Sequence, residues 1–334
     1  MGTVFLTCAG IESARTSDCT ARPPELCWTS RSQARRVGLR RRVCWFDRAD
    51  DRFRASLARV RTGPARCAPA AVTVARPKIL VTNDDGYASD GLAALGEALR
   101  ELGDVTVVAP EHDNSGIGHQ ITIKAPVRVA PVEGRAVPTY RLSGTPADCV
   151  VVGAYDLCGG TPALLVSGIN RGANVGDDLN YSGTVAAAVE GTVIGIPSLA
   201  ISLAASWPEQ GSEHHWESAA GIAVQMGREI IAEGLPRLTM LNVNVPNVPT
   251  HELRGIRWVR QGRKGYRDRL DRRTDPRGGA YYWLWGAFDP ADIVDGTDLA
   301  AVRDGYVGVT PLSIDRTNHD ELGRRWRERN ARVG

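Results

Sequence analysis

The stretch Ile79-Leu-Val-Thr-Asn-Asp-Asp-Gly86 constrains this chain more than any other: an apolar β-type run ends abruptly at two adjacent carboxylates and a glycine. In α/β proteins, ligands bind just beyond the carboxyl ends of parallel strands. Asp84 and Asp85 placed there repel each other unless a cation sits between them. Adjacent side chains of an extended strand face opposite ways, so both reach one ion only where the chain bends, and Gly86 supplies the freedom to bend. Asp85-Gly86 also suits a hairpin turn, but the next segment has helical rather than strand periodicity. The pattern points to a divalent metal at the top of a sheet and to chemistry on an anionic substrate.

The periodicity that follows fixes the fold class. Residues 90–102 carry Leu92, Leu95, Leu99 and Leu102 along one helical face, and Asp104-Val-Thr-Val-Val-Ala109 reads as the next strand, closed by Pro110. A β-α-β unit of that length implies a right-handed crossover and a parallel pair. Further strands are expected at 163–166, 198–202 and 239–245, with helices from Gly183 to about Gly195 and near 216–233, and a loop over 167–181. This alternation predicts an α/β fold, a three-layer Rossmann-like sandwich with a mostly parallel sheet, over residues 77–250. Residues 251–334 change texture. Arg, Gly and aromatics (Trp258, Tyr266, Tyr281, Tyr282, Trp283, Trp285) mix with little helical period, which suggests β-hairpins or extended arms. Exposed aromatic and Arg-rich ribbons suit subunit contacts; base stacking on nucleic acid is the rival reading.

Residues 1–76 belong to a different compositional population. They hold fifteen Arg, no Lys, six acids and five of the seven cysteines, so the formal net charge of +3 conceals a basic leader and an acidic remainder. No sustained periodicity runs through them, and the cysteines lack paired zinc spacing. They read as a disordered or spurious N-terminal extension, with a nucleic-acid arm or transit peptide as alternatives. No apolar stretch has signal-peptide length and none is long enough to span a bilayer, so a cytoplasmic protein is expected.

Three further segments are candidates for chemistry. Asn114-Ser-Gly116 follows the second strand and offers the Ser115 hydroxyl as an oxygen ligand for a hard cation; read blandly, it is a turn. The stretch from Ser167 to Asp178 is longer than an ordinary βα connection and contains Asn170 and Asn174 among glycines. Such loops let backbone N–H groups approach phosphate oxygens. In Tyr181-Ser-Gly-Thr184, Ser182 is a natural N-cap for the next helix, and the same geometry aims a positive dipole end at an anion.

Taken together, Asn83-Asp-Asp-Gly86, Asn114-Ser-Gly116, Ser143-Gly-Thr-Pro-Ala-Asp-Cys149, Ser167-Gly-Ile-Asn170, Tyr181-Ser-Gly-Thr184 and Asp298…Gly305-Tyr-Val-Gly-Val-Thr-Pro311 resemble the SurE family of survival-protein 5′/3′-nucleotidases. The resemblance runs from about Lys78 to about Leu312. It implies a metal-dependent phosphomonoesterase that hydrolyses nucleoside 5′- and 3′-monophosphates, and in some members polyphosphate. The family's metal ligands fall on Asp84, Asp85, Ser115 and Asn170, and its phosphate-contacting residues on Asn174, Ser182, Gly183 and Thr184. Two carboxylates, a hydroxyl and an amide carbonyl suit one Mg²⁺ or Mn²⁺ per subunit better than zinc. Asp84 and Asp85 would be catalytic through that ion and by orienting the attacking water. The implied partners are a nucleoside monophosphate and further copies of the chain in a homodimer or homotetramer, with no nucleic acid and no membrane. Two rivals remain distinct in principle: a non-catalytic nucleotide sensor on the same scaffold, and a phosphoaspartyl phosphatase, which the adjacent placement of Asp84 and Asp85 disfavours.

Overall fold

The computed structural model describes residues 75–205, 213–263, 266–288 and 293–330; apart from its last two residues, the leader expected at 1–76 lies outside them. The elements run β1 (Lys78–Thr82), α1 (Asp90–Ala98), β2 (Asp104–Pro110), β3 (Val129–Pro131), β4 (Thr139–Leu142), α2 (Pro146–Val152), β5 (Leu164–Arg171) and α3 (Gly183–Val193). They continue with β6 (Ser198–Ala204), α4 (Trp216–Glu233), β7 (Thr239–Pro246), β8 (Ile256–Trp258), β9 (Tyr266–Thr274), β10 (Ala280–Phe288), α5 (Asp298–Arg303), β11 (Val307–Ser313) and α6 (His319–Asn330).

Nine strands form one sheet in the order β3-β4-β2-β1-β5-β6-β7-β11-β8. The run from β4 to β7 is parallel throughout, while β3 pairs antiparallel with β4 and β11 antiparallel with β7. The chain winds outward from β1 through β2 to β4, then returns past β1 to start β5. The sheet therefore has its topological switch point between β1 and β5, where such folds open a crevice for ligand.

The period-two alternation of β1 sorts its side chains into two cores. Ile79 and Val81 join Leu92 and Leu95 of α1, Leu99 just beyond it, and Ala223, Met226 and Ile230 of α4 on one face. Leu80 joins Val108, Leu165, Cys149, Val150 and Ala187 under α2 and α3 on the other. These are the three layers that the sequence predicts. α1 ends in a 3₁₀ turn at Leu99–Glu101, so the apolar stripe to Leu102 is carried by two helix types. Ser89 caps α1 by accepting from the Leu92 N–H, and Thr145 and Asp148 close a capping box on α2.

The largest departure from the sequence expectation lies at β5. The loop expected over 167–181 is partly strand: β5 breaks register between Ser167 and Asn170, then pairs again with β6 through Asn170↔Ser202 and Arg171↔Leu203. Gly168 has φ +141°, and a Cβ there would meet the Ile201 carbonyl oxygen at 2.2 Å, so only glycine fits this bulge. The bulge re-aims the end of β5, and a 3₁₀ turn at Gly176–Asn180 carries the chain on to α3.

The C-terminal third contributes to both sheets. β8 and β11 extend the main sheet, whereas β9 and β10 pair only with each other as a two-stranded antiparallel ribbon. Leu270, Tyr282, Trp283 and Leu284 of this ribbon are exposed. The hairpin expected in this region is thus present. Among the described residues no helix is long and apolar enough to cross a membrane.

Candidate active site

Asp84 and Asp85 sit directly past the end of β1, at the switch point. Asp84 is buried and turns toward α3, where Thr184 donates both its hydroxyl and its backbone N–H to the carboxylate. Gly183 makes this approach feasible, since a Cβ there would lie 2.7 Å from the Asp84 Cβ and 2.9 Å from its Oδ2. Asp85 faces the other side of the crevice, and its Oδ2 accepts from the Arg171 N–H at 3.4 Å, next to Asn170. Gly86 bends the chain between them and α1 with φ +94°.

Neighbouring loops carry the remaining candidate oxygens. The Asn114 N–H donates to the Asp84 carbonyl at 2.8 Å, which pins the loop after β2 against the end of β1. Ser115 on that loop donates its hydroxyl to Asp113 Oδ1 at 2.6 Å, and its N–H to the same oxygen at 2.8 Å. Asn170 donates Nδ2 to the Gly172 carbonyl at 2.8 Å, which leaves its own carbonyl oxygen turned the other way. Asn83 donates Nδ2 to Gly86 O and Ser89 Oγ, while its buried Oδ1 has no partner.

Asn174 and Ser182 hold the far rim. The Asn174 side chain donates to Ser202 Oγ, its N–H donates to Asn244 Oδ1, and its carbonyl accepts from Asn242 and Asn244. Its amide nitrogen is thereby committed to the sheet. Ser182 is the N-cap of α3, accepting from the Val185 N–H at 3.1 Å as its sequence position predicts. Buried Asp298, at the start of α5, accepts from the Gly176 and Gly262 N–H groups and ties the loop beneath Asn174 to the C-terminal region.

The electrostatics of this crevice call for a cation. Burial, opposed by the Thr184 hydrogen bonds, raises Asp84 above the ordinary carboxylate range, with the charge of Asp113 adding to the rise. Burial, then the Asp84 charge, lifts Asp85 to about 7. The Asp84 and Asp85 carboxylates, the Ser115 hydroxyl and the Asn170 amide carbonyl are all hard oxygen donors, a set whose chemistry fits Mg²⁺ or Mn²⁺. Among the described residues no cluster of three or more His, Cys, Asp or Glu side chains could hold a metal ion, so a soft or imidazole-rich site has no support there.

Four residues of this site carry roles that the sequence reading does not assign. Asp113 has a readable signal, since an Asp two residues before a Ser is the pattern of an Asx turn. Asn242 and Asn244, alternate residues in a buried strand, announce a polar network, because a buried amide needs partners. Arg171 is adjacent to Asn170 in the motif, but nothing local reveals that its N–H meets Asp85.

Comparison with known proteins identifies the family and agrees with the fold. The family model for survival protein SurE matches residues 79–268. The chain is 46% identical over 244 residues to the 5′-nucleotidase SurE of Geobacter sulfurreducens, covering 73% of this chain and 90% of that protein. It is 47% identical over 240 residues to the 5′-nucleotidase SurE of Syntrophotalea carbinolica, covering 72% and 92% respectively. The crystal structure of the SurE protein from Aquifex aeolicus superposes with a TM-score of 0.65 at 41% identity, covering 74% of this chain and 98% of that one. With the family model matched over residues 79–268 and relatives of 46–47% identity covered over most of their length, the chain belongs to the SurE family.

Proposed function

We propose that this protein is a divalent-metal-dependent 5′-nucleotidase, a phosphomonoesterase acting on nucleoside monophosphates. One observation carries the reading: Asp84 and Asp85 lie desolvated and side by side at the switch point, with α3 abutting Asp84 through Gly183 and Thr184. Close relatives bearing the 5′-nucleotidase name support the substrate class.

In this reading Asp84, Asp85, Ser115 and Asn170 hold one Mg²⁺ or Mn²⁺. The bound ion would supply Lewis acidity to a phosphoryl oxygen and a more acidic water. The chain's own residues do the positioning. Thr184 fixes Asp84, Asp113 holds the Ser115 hydroxyl by accepting its hydrogen bond, and Gly172 sets the Asn170 amide. The N-terminal end of α3, with Ser182, Gly183 and Thr184, would place a positive dipole end beside the anionic group, with Asn174 of the preceding loop as a further phosphate contact. Such fixed dipoles stabilise charge that builds in the transition state.

The same reading extends to 3′-monophosphates and polyphosphate, and gives 77–250 the chemistry and 251–334 assembly. The β9–β10 ribbon, with its exposed Leu270, Trp283 and Leu284, would be the arm by which subunits associate as a dimer or tetramer. Phosphate release from a panel of nucleoside 5′- and 3′-monophosphates and polyphosphate, with Mn²⁺, Mg²⁺ or EDTA, tests the proposal. Metal-dependent release from the 5′-monophosphates is expected. Tight nucleotide binding without release under any metal would instead make the protein a sensor.

A further inference from the structure

The crevice holds more negative charge than one divalent ion cancels. Asp113 stands on the loop pinned against Asp84, and its charge acts on both Asp84 and Asp85, so three carboxylate charges bear on the site. A phosphomonoester dianion entering that centre meets an excess of negative charge even with the ion in place, and its binding then requires another cation.

Several arginines are committed elsewhere. Arg141 pairs with Glu111 and Arg263 with Asp177. Arg135 donates to the Tyr87 carbonyl. Arg171 is different. Its side chain is exposed, and among the described residues nothing hydrogen-bonds or ion-pairs its guanidinium. Its charge nonetheless reaches Asp85 and opposes the effect of burial on that carboxylate.

The backbone beneath Arg171 is fixed on every side. Its N–H meets Asp85 Oδ2, the Asn170 side chain grips the Gly172 carbonyl, and the Gly172 N–H donates to the Leu203 carbonyl at 2.9 Å. Register with Leu203 of β6 holds the residue at the rim of the crevice. A long, uncommitted guanidinium on a rigid base, beside an anion site, has the fork geometry suited to two phosphate oxygens.

We propose that Arg171 is a substrate-binding residue, its guanidinium engaging the phosphate group of the incoming monoester and cancelling the surplus charge of Asp84, Asp85 and Asp113. The inference rests on the proposed phosphomonoesterase reading, and goes beyond the residues that the family resemblance assigns. It also gives Asp85 and Arg171 complementary tasks from one contact: the backbone N–H steadies the carboxylate while the side chain addresses the substrate.

Arg171→Gln and Arg171→Lys in the full chain test it, with inorganic phosphate and Mn²⁺ as separate probes. Calorimetric binding of phosphate to the Mn²⁺-loaded protein should weaken about 10- to 100-fold in Arg171→Gln, the span of a charge-assisted hydrogen-bonded pair. KM for a nucleoside monophosphate should rise in parallel, and Arg171→Lys should recover part of both. Mn²⁺ affinity, measured without phosphate, should stay the same or tighten, because a positive charge has left the neighbourhood of the carboxylates. Unchanged phosphate binding in Arg171→Gln would overturn the proposal, as would a matching loss of Mn²⁺ affinity, which would show that Arg171 only supports Asp85. Direct phosphate binding keeps the two readings apart: a wild-type protein that binds phosphate but hydrolyses nothing would defeat the enzymatic reading and leave the Arg171 comparison intact.

Discussion

Gly183→Ala should separate stability from activity at this site. The added Cβ would stand 2.7 Å from the Asp84 Cβ and 2.9 Å from Asp84 Oδ2, against an optimum of about 3.5–4.0 Å between carbons. Asp84 is buried and held by Thr184, so the clash must be relieved by moving either the carboxylate or the first turn of α3 by roughly 1 Å. Overpacking of this kind costs about 1–3 kcal/mol. For a domain of this size that corresponds to a fall in Tm of roughly 2–10 °C. Displacing a group that organises the reacting centre by such a distance costs on the order of 10²-fold in rate. The assays are Mn²⁺-dependent phosphate release at saturating metal and thermal unfolding by circular dichroism. Gly221→Ala is the matched control: Gly221 lies exposed in α4 with nothing within 4 Å of where a Cβ would stand, so activity should be unchanged and stability should rise by about 0.5–1 kcal/mol. Wild-type turnover in Gly183→Ala would refute the claim that the close approach of α3 positions Asp84.

Thr184→Val removes the hydroxyl bound to Asp84 at nearly constant volume, and should lower kcat/KM about 10- to 100-fold, whereas Thr184→Ser should retain most activity; equal losses in both would refute the hydrogen-bond argument. Leu238 has φ +60°, a conformation that costs a β-carbon-bearing residue roughly 1–2 kcal/mol, and it is partly exposed. Leu238→Gly should therefore stabilise the protein by up to about 1 kcal/mol in denaturant unfolding, after allowing for the added entropy of the unfolded chain; a destabilised variant would contradict this. A third expectation concerns pH. Asp85 is lifted to about 7 from the ordinary 3.8, so the folded protein binds its proton more tightly than the unfolded chain does. Chelator-treated protein should accordingly be most stable below about pH 4 with respect to this group and lose that contribution as pH rises toward about 7, by roughly 4 kcal/mol at most. Asp84 acts in the same direction. Mn²⁺ should flatten the dependence, because it takes the place of the proton; a Tm that climbs across this window in EDTA would overturn the assignment.

The parts of the fold legible in the sequence are those governed by local pattern. Ile79–Val81 alternates between two cores, and the leucines of α1 keep a helical stripe, so both can be read without knowing their neighbours. Ser182 declares itself as an N-cap because the hydrogen bond it accepts, from Val185, is only three residues away. The strands that pattern does not reveal are short or distant in pairing. β3 has three residues and no period to detect, and β11 pairs with β7 across more than sixty residues of intervening chain. The bulge in β5 is invisible for a similar reason, since the Ile201 carbonyl that excludes a Cβ at Gly168 belongs to another strand. At the site, the motif residues are visible as residue types, but their division of labour is not. That Thr184 grips Asp84, that Asp113 holds Ser115 and that Arg171 is left uncommitted depend on contacts between loops brought together only by the switch point.

Titrating Mn²⁺ into the chelator-treated protein, while following bound metal and phosphate release from a nucleoside 5′-monophosphate in the same samples, tests the central claim most directly. Activity should be absent in EDTA and rise in proportion to a single equivalent of bound Mn²⁺ per chain, and Asp84→Asn and Asp85→Asn should lose both metal and turnover. Full hydrolysis in EDTA, or undiminished turnover in Asp84→Asn with saturating Mn²⁺, would contradict a reaction centred on a cation held by these two carboxylates.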